Sequence, residues 1–426
     1  MQNIADHTLR KQLVNELHAR PFPVIDAPSS AAFLAIKPEM DAAARDRTAD
    51  VAHLTELLDH YGAPHPKPDA THYFGAIGKH FVKWESHTEF VTYTIFGSGV
   101  NDIPFGGTTF DTFPKEWLEK APGVRMVSIL MRVELETDCD SIAAKLEDWF
   151  VPESLAASYV LDQSAVVASD FRLDAAGHSR FAVFVRPGTG NRRIGRIVQR
   201  LCEIETYKTM SMLGHARCGQ LERNMGAIDG RLNELMVDMS QDEAEPEETL
   251  KALLKVSTRL ESLLANSQFR FGATGAYGAL VNQRIDILHE ERFGEKQTFS
   301  EFMMRRFDPA MRTVKSTQNR LHALADRATR AGELLRTSVD VERSAQNQRL
   351  LESMDHRADV QLRLQRTVEG LSVVAISYYA VNLLIYVFYP AATAFGMSKG
   401  WLGAALTPLV AGAVYLVVRR IRLKSH

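Results

Sequence analysis

The spacing of hydrophobic positions changes along this chain, from alternation every second residue, to intervals of three and four, to unbroken apolar runs. Asp6 or Thr8 can cap a first short helix in which Leu9, Leu13 and Leu17 share one face, ending before Pro21. Ser30 to Ile36 reads as a strand, and Asp41 to His60 as a helix carrying Leu54, Leu57 and Leu58. Thr71 to Phe96 alternates in polarity and is rich in β-branched and aromatic residues; Gly75, Gly78 and Lys79 interrupt it, which predicts a hairpin. Arg125 to Leu135 is a further strand and Asp138 to Phe150 a capped helix. Tyr159 to Leu173 and Arg180 to Arg186 form a second hairpin, turned at Asp174 to His178. Together these elements predict an α/β domain over residues 1–190 with a mostly antiparallel sheet.

After Pro187 the period becomes helical. Ile194, Ile197, Val198, Leu201, Ile204 and Met212 mark an amphipathic helix running to Met239, with a break near Gly214. Gln241 to Glu248 is an acidic linker containing Pro246, followed by a helix to about His289. Thr298 and Glu301 have capping-box spacing, and Pro309 permits a helix to start or restart. From there to Tyr389 no proline occurs, and Leu321, Leu324, Ala328, Ala331 and Leu335 follow the spacing of a coiled-coil seam. The seam weakens at Ser344 to Gln348 and resumes at Leu351, Met354 and Ala358. Residues 191–366 therefore read as a helical, coiled-coil-like stalk.

The third pattern is a membrane hairpin over residues 367–426. No charged residue occurs from Gly370 to Ser398 or from Gly400 to Val418, and spans are expected at about 371–389 and 401–418. About 20 apolar residues cross a hydrocarbon core, so each run is just long enough. Arg357, Arg363 and Arg366 precede the first span, and Arg419, Arg420, Arg422 and Lys424 follow the second; the connecting loop offers only Lys399. Positive residues stay inside, so both termini are expected on the cytoplasmic side. Tyr386, Tyr389 and Trp401 fall where interfacial rings are favoured, and Met1 to Arg20 lacks the apolar core of a signal peptide. The fold class is thus α+β, with a stalk and a two-helix transmembrane hairpin.

Composition adds exclusions. A net charge of −2 gives no basic field for nucleic acid, and 24% charged with 8% aromatic residues is ordinary for a globular chain. Cys139, Cys202 and Cys218 are odd in number and far apart, as in a reducing compartment.

Candidate chemistry is sparse, and no pattern names a cofactor or a catalytic residue. His65, His72, His80 and His87 recur in one region, and alternation gives His72 and His80 the same parity. No Cys or paired carboxylate joins them at a recognised spacing, so they read as histidines on a half-exposed sheet and no metal is expected, with His72, His80 and His87 the candidates if one were held. The segment Gly272 to Gly278 lacks the Gly-Lys-Ser/Thr ending of a phosphate loop and suits close helix packing. Glu203 and Glu205 with Arg192, Arg193, Arg196 and Arg200 read as an ion-pair lattice on a solvated helix face, or as a basic patch for an anionic lipid or nucleotide. Ser377 and Asn382 are polar residues inside the first span, with Gly396, Met397 and Ser398 in the loop beyond it. Polar groups at such depth join helices or line a path.

Four segments carry a resemblance to a known family: Glu16-Leu-His-Ala-Arg-Pro-Phe22, Trp84-Glu-Ser-His-Thr-Glu-Phe90, Arg196-Ile-Val-Gln-Arg-Leu-Cys-Glu-Ile-Glu-Thr-Tyr207, and the run from Gln361 to Tyr379. They resemble a proteobacterial family of membrane-anchored proteins with no established activity. The likeness spans nearly the whole chain and implies the same topology. The architecture is also similar to CorA-type magnesium channels, whose first span ends in Gly-Met-Asn; Gly396-Met397-Ser398 lacks the asparagine. Two functions follow as expectations. One is a membrane-anchored homo-oligomeric scaffold or sensor whose cytoplasmic domain binds a protein or small ligand. The alternative is a CorA-like channel or transporter with Ser377 and Asn382 on its axis.

Overall fold

The structure is a computed structural model describing residues 4, 6–11, 13–14, 22–40, 42–67, 69–240 and 246–424. Leu17 and Pro21 of the expected first helix, and residues 241–245 of the acidic linker, lie outside the described residues. The chain forms two compact units. One comprises Met1–Asp242 with Lys251–Ala331, the other Glu243–Leu250 with Gly332–His426.

The first unit is built on a nine-stranded sheet in the order β2-β3-β4-β1-β5-β8-β7-β6-β9. Its strands are β1 (Ser29–Lys37), β2 (His72–Ile77), β3 (His80–Ser86), β4 (Val91–Ser98), β5 (Val124–Leu135), β6 (Ala156–Val160), β7 (Ala165–Ser169), β8 (Ser179–Val185) and β9 (Glu291–Arg292). Between them lie α1 (Arg47–His60), α2 (Lys115–Glu119) and α3 (Cys139–Trp149). The same sequence of events occurs twice: a strand, a helix, then a three-stranded meander whose last strand returns beside the first. The β5–β8 pair is parallel and the other pairs are antiparallel.

Local chemistry sets these boundaries. Asp46 and Asp138 cap α1 and α3 by accepting from Thr48 N (2.9 Å) and Asp140 N (3.3 Å). The stretch from Thr71 to Phe96 holds three strands: Gly78, at φ +56°, makes the first turn, and residues 87–90 make the second. Gly75 lies inside β2 instead of breaking it. Tyr159 to Leu173 is likewise two strands, because Leu161, Asp162 and Gln163 turn at φ 50–58° without any glycine.

The sheet is covered on both faces. Trp84, Tyr93, Leu34 and Leu130 face α1 and α2 through Leu54, Leu57, Leu58 and Trp117, while Val166 and Phe184 face Ile142, Leu146 and Trp149 of α3. The opposite face, with Phe33, Ile129, Phe181 and Val183, packs against long helices α4 (Asn191–Ser240), α5 (Pro246–Asp286) and α6 (Phe299–Ala394) through Ile197, Leu201, Ile285, Phe299 and Phe302. Burying each large apolar side chain contributes about 1.5–3 kcal/mol.

Helix α4 runs without interruption through Gly214, where the expected break is absent. A Cβ there would come 2.9 Å from Thr274 Cβ on α5, so this glycine serves a close helix crossing. The capping box of α6 forms as its spacing predicts, with Glu301 N donating to Thr298 Oγ1 (3.1 Å) and Thr298 N to Glu301 Oε2 (3.0 Å). The helix then continues through Pro309. The expected coiled-coil seam has a different role in this unit: Leu321, Leu324, Ala328 and Ala331 are buried within the chain itself. Arg320 and Arg327, on the same helix, pair with Asp229 of α4.

In the second unit, the rest of α6 and α7 (Lys399–Lys424) include two helices long and apolar enough to cross a membrane, with their apolar side chains largely exposed. Gly396, at φ +72°, ends α6 in a Schellman turn: Met397 N donates to Ala392 O (3.1 Å) and Gly396 N to Thr393 O (3.2 Å). Ser398 O then accepts from Leu402 N (3.2 Å) as α7 begins. Gly396-Met397-Ser398 therefore has a helix-terminating reason of its own. Ser377 and Asn382 are half-buried, and Asn382 Nδ2 donates to Tyr378 O (3.1 Å) within its own helix.

Candidate ligand-binding cleft

A cleft of about 360 Å³ opens between the sheet and helices α4 and α5. Its floor follows from strand parity. Lys83 and Glu85 of β3, with Thr92, Thr94 and Phe96 of β4 and Phe33 of β1, project to the face opposite Trp84 and Tyr93. Its wall follows from helix periodicity, since Val198, Cys202 and Thr206 form one i, i+4 row of α4 and Gln199, Glu203 and Tyr207 the next. Arg284 and Ile287 close one side, and Phe22 and Pro23 another.

Gly195 makes that last wall possible. A side chain at this position of α4 would run into the Pro23 carbonyl, with its carbon 2.8 Å away. Bare helix backbone therefore lets the Phe22–Val24 segment cross it, held by the bond from Ile25 N to Asn191 O (3.3 Å).

The ionisable side chains form a connected network. Lys83 Nζ lies 3.2 Å from Glu85 Oε1 and donates to Gln199 Oε1 at 2.8 Å. Gln199 Nε2 donates to Glu203 Oε1 (2.8 Å), and the other oxygen of Glu203 takes the Arg284 guanidinium. Lys83 and Glu85 side chains are only 6% and 13% exposed, and their pairing offsets part of the cost of burying them. Arg200 stands outside the pairing. Among the described residues it has no carboxylate partner, and its Nη1 donates to the Ile287 carbonyl at 3.3 Å. Burial, with Arg196 and Arg284 close by, pulls its pKa below the usual arginine value, and Glu203 acts the other way.

The expected i, i+4 lattice on this helix does not form. Position 204, four residues after Arg200, is Ile204; the residue four before Glu203 is Gln199, and Arg196 is followed at that spacing by Arg200 itself. Arg193 instead reaches Asp162 (3.8 Å), and Glu205 pairs with Lys208 (2.7 Å) and accepts from Ser179 Oγ (3.1 Å). Arg196 lines an adjoining groove with Phe22, Phe74 and Phe81, and its buried Nε has no partner among the described residues.

The histidine candidates are not brought together. The two-residue turn at Gly78 and Lys79 pairs His80 with Ile77 and His72 with Glu85, which puts His72 and His80 on opposite faces and at opposite ends of the hairpin. That corrects the shared parity expected from simple alternation. His87 stacks on Phe90 (4.5 Å between centroids) and lines the cleft. Burial pushes the Cys202 thiol well above the ordinary cysteine range, so it lines the wall as a protonated, weakly reactive group. The arrangement suits binding: fixed charges below, apolar rings around, and a cation left over.

Comparison with family models matches residues 5–425 to the family described as "Protein of unknown function (DUF3422)". The chain belongs to the DUF3422 family. Comparison with curated proteins finds no match. The match spans the residues of the cleft, the long helices and both candidate spans.

Proposed function

We propose that this DUF3422 protein is a membrane-anchored sensor or scaffold whose N-terminal unit takes up a small ligand in the cleft between β3, β4 and α4. The observation that carries the reading is the partly buried network Glu85–Lys83–Gln199–Glu203–Arg284, which ends at an open space instead of being packed over. Polar groups are expensive to bury, and a convergent set facing a cleft of about 360 Å³ is the arrangement of small-molecule sites, whose volumes run from about 300 to 1,000 Å³. Anchoring rests on the two apolar helices of the second unit, with the arginines before the first and after the second favouring cytoplasmic ends. Self-association belongs to the same reading. Leu350, Leu351 and Met354, on α6 ahead of the span, are each over 60% exposed, and apolar rows of this kind are covered by a second helix in coiled coils.

The test is native mass spectrometry of the full-length chain purified from membranes in mild detergent, beside Thr94→Phe and Thr92→Phe, which fill the floor. A small-molecule adduct on the wild type that both variants lose supports the reading. An adduct unchanged in folded variants, or no adduct on any of them, would count against it.

A further inference from the structure

The charge balance of the cleft identifies its ligand class. Lys83 is matched by Glu85, and Arg284 by Glu203. Arg200 has only a backbone carbonyl, and Arg196, one turn earlier, has a buried Nε with no partner among the described residues. Two guanidinium groups one helical turn apart repel each other, and taking one partly out of water raises that cost. A half-buried guanidinium with five donors in a fixed fork matches a carboxylate or phosphate. Around it the lining is aromatic, with Phe22, Phe33, Phe90 and Phe96, and Thr92, Thr94 and Thr206 are interspersed.

Resting on the cleft as the binding site, we propose that its ligand is a small amphipathic organic anion. Its carboxylate or phosphate seats on Arg200 beside Arg196 and Arg284, and its apolar body lies against Phe33, Phe90 and Phe96. The Lys83–Glu85 and Arg284–Glu203 pairs hold the surrounding side chains in place and cancel each other's charge, so the surplus positive charge is concentrated at Arg200. No bond is made or broken in this step; the ligand replaces water at the guanidinium.

Fluorine NMR on the full-length chain in a nonionic detergent tests this, with matched probes 4-fluorobenzoate, 4-fluorophenyl phosphate and 4-fluorobenzamide, and protein-free micelles as the blank. The expected result is line broadening of one or both anions by the wild-type protein, and none of the amide. Arg200→Gln weakens anion binding by about tenfold or more, and Arg200→Lys stays closer to wild type. The relative affinities of the two anions distinguish a carboxylate from a phosphate ligand. The amide comparison uses only wild-type protein, so it decides the matter even where Arg200→Gln folds poorly. Equal binding of amide and anion, both lost in Thr94→Phe, overturns the anion assignment and leaves the cleft standing. Anion binding that depends on Arg200 but survives Thr94→Phe overturns the cleft and leaves the arginine assignment standing. No binding of any probe at millimolar concentration overturns both.

Discussion

Replacing Gly195 by alanine tests how the cleft is walled. Its new Cβ would lie 2.8 Å from the Pro23 carbonyl carbon and 3.4 Å from Pro23 Cγ, and closer still to the carbonyl oxygen. Carbon atoms in contact normally sit about 3.5–4.0 Å apart, so Phe22–Val24 has to move by about 1 Å. The obstacle is backbone on both sides, and no side-chain rotation relieves it. Overpacking of this kind costs about 1–3 kcal/mol, against a helix-propensity gain of about 1 kcal/mol for alanine over glycine. The bond from Ile25 N to Asn191 O, on the adjoining turn, is strained as well, and Ile25 is anchored in the core. The net loss is about 1–2 kcal/mol. For a folding unit of a few hundred residues that lowers the melting temperature by about 2–4 °C. Differential scanning fluorimetry of the full-length protein would measure it, alongside probe binding at the cleft, which should weaken as Phe22 withdraws. A melting temperature raised by Gly195→Ala, as for an unpacked helical glycine, would refute the packing of Pro23 on α4.

Other outcomes follow from buried charges and thiols. Glu89 is almost fully buried and takes both terminal nitrogens of Arg270, so Glu89→Gln leaves Arg270 short of its counter-charge and costs about 3 kcal/mol, read as a fall of several degrees in melting temperature. His53 is held neutral by burial, with Nε2 donating to Trp117 O (3.1 Å) and Nδ1 accepting from Tyr93 OH (3.0 Å); burial likewise lowers the pKa of His178. Their folded pKa values lie below 6.5, so their stabilisation is complete above that pH and is lost as pH falls through the folded values, by at most about 1.4 kcal/mol per pH unit each. Melting curves between pH 7 and 5 should therefore fall, and His53→Gln should flatten the decline. Alkylation followed by peptide mapping at pH 8 should modify exposed Cys139 first and leave Cys202, whose thiol is pushed up by burial, essentially unreacted.

Much of the architecture was legible because its signals are local. Asp138 ahead of α3, the Thr298/Glu301 box and the charge-free C-terminal runs each state their element within a few residues. The extra turn at Leu161, Asp162 and Gln163 was not, since no glycine marks it and only Asp162 is of a type enriched at positive φ. Gly214 misled in the opposite direction, because a glycine that admits a neighbouring helix looks like one that breaks its own. The cleft was hidden for a different reason. Its lining comes from Phe22, Phe33, the β3–β4 stretch, α4 and the end of α5, which meet only in the folded unit. One clue did lie in the sequence: Arg192, Arg196 and Arg200 follow one another at i, i+4 spacing with no carboxylate at that interval, a row of like charges that a solvated ion-pair lattice does not explain.

The central claim is that the space between β3, β4 and α4 holds a small anionic molecule. An electron cryomicroscopy map of the wild-type, full-length chain purified from its own membrane tests it most directly. The expected result is compact non-protein density against the Arg200 guanidinium, above Thr94 and Phe96. A cleft collapsed onto its own side chains, with Arg200 turned to a protein carboxylate, would contradict it.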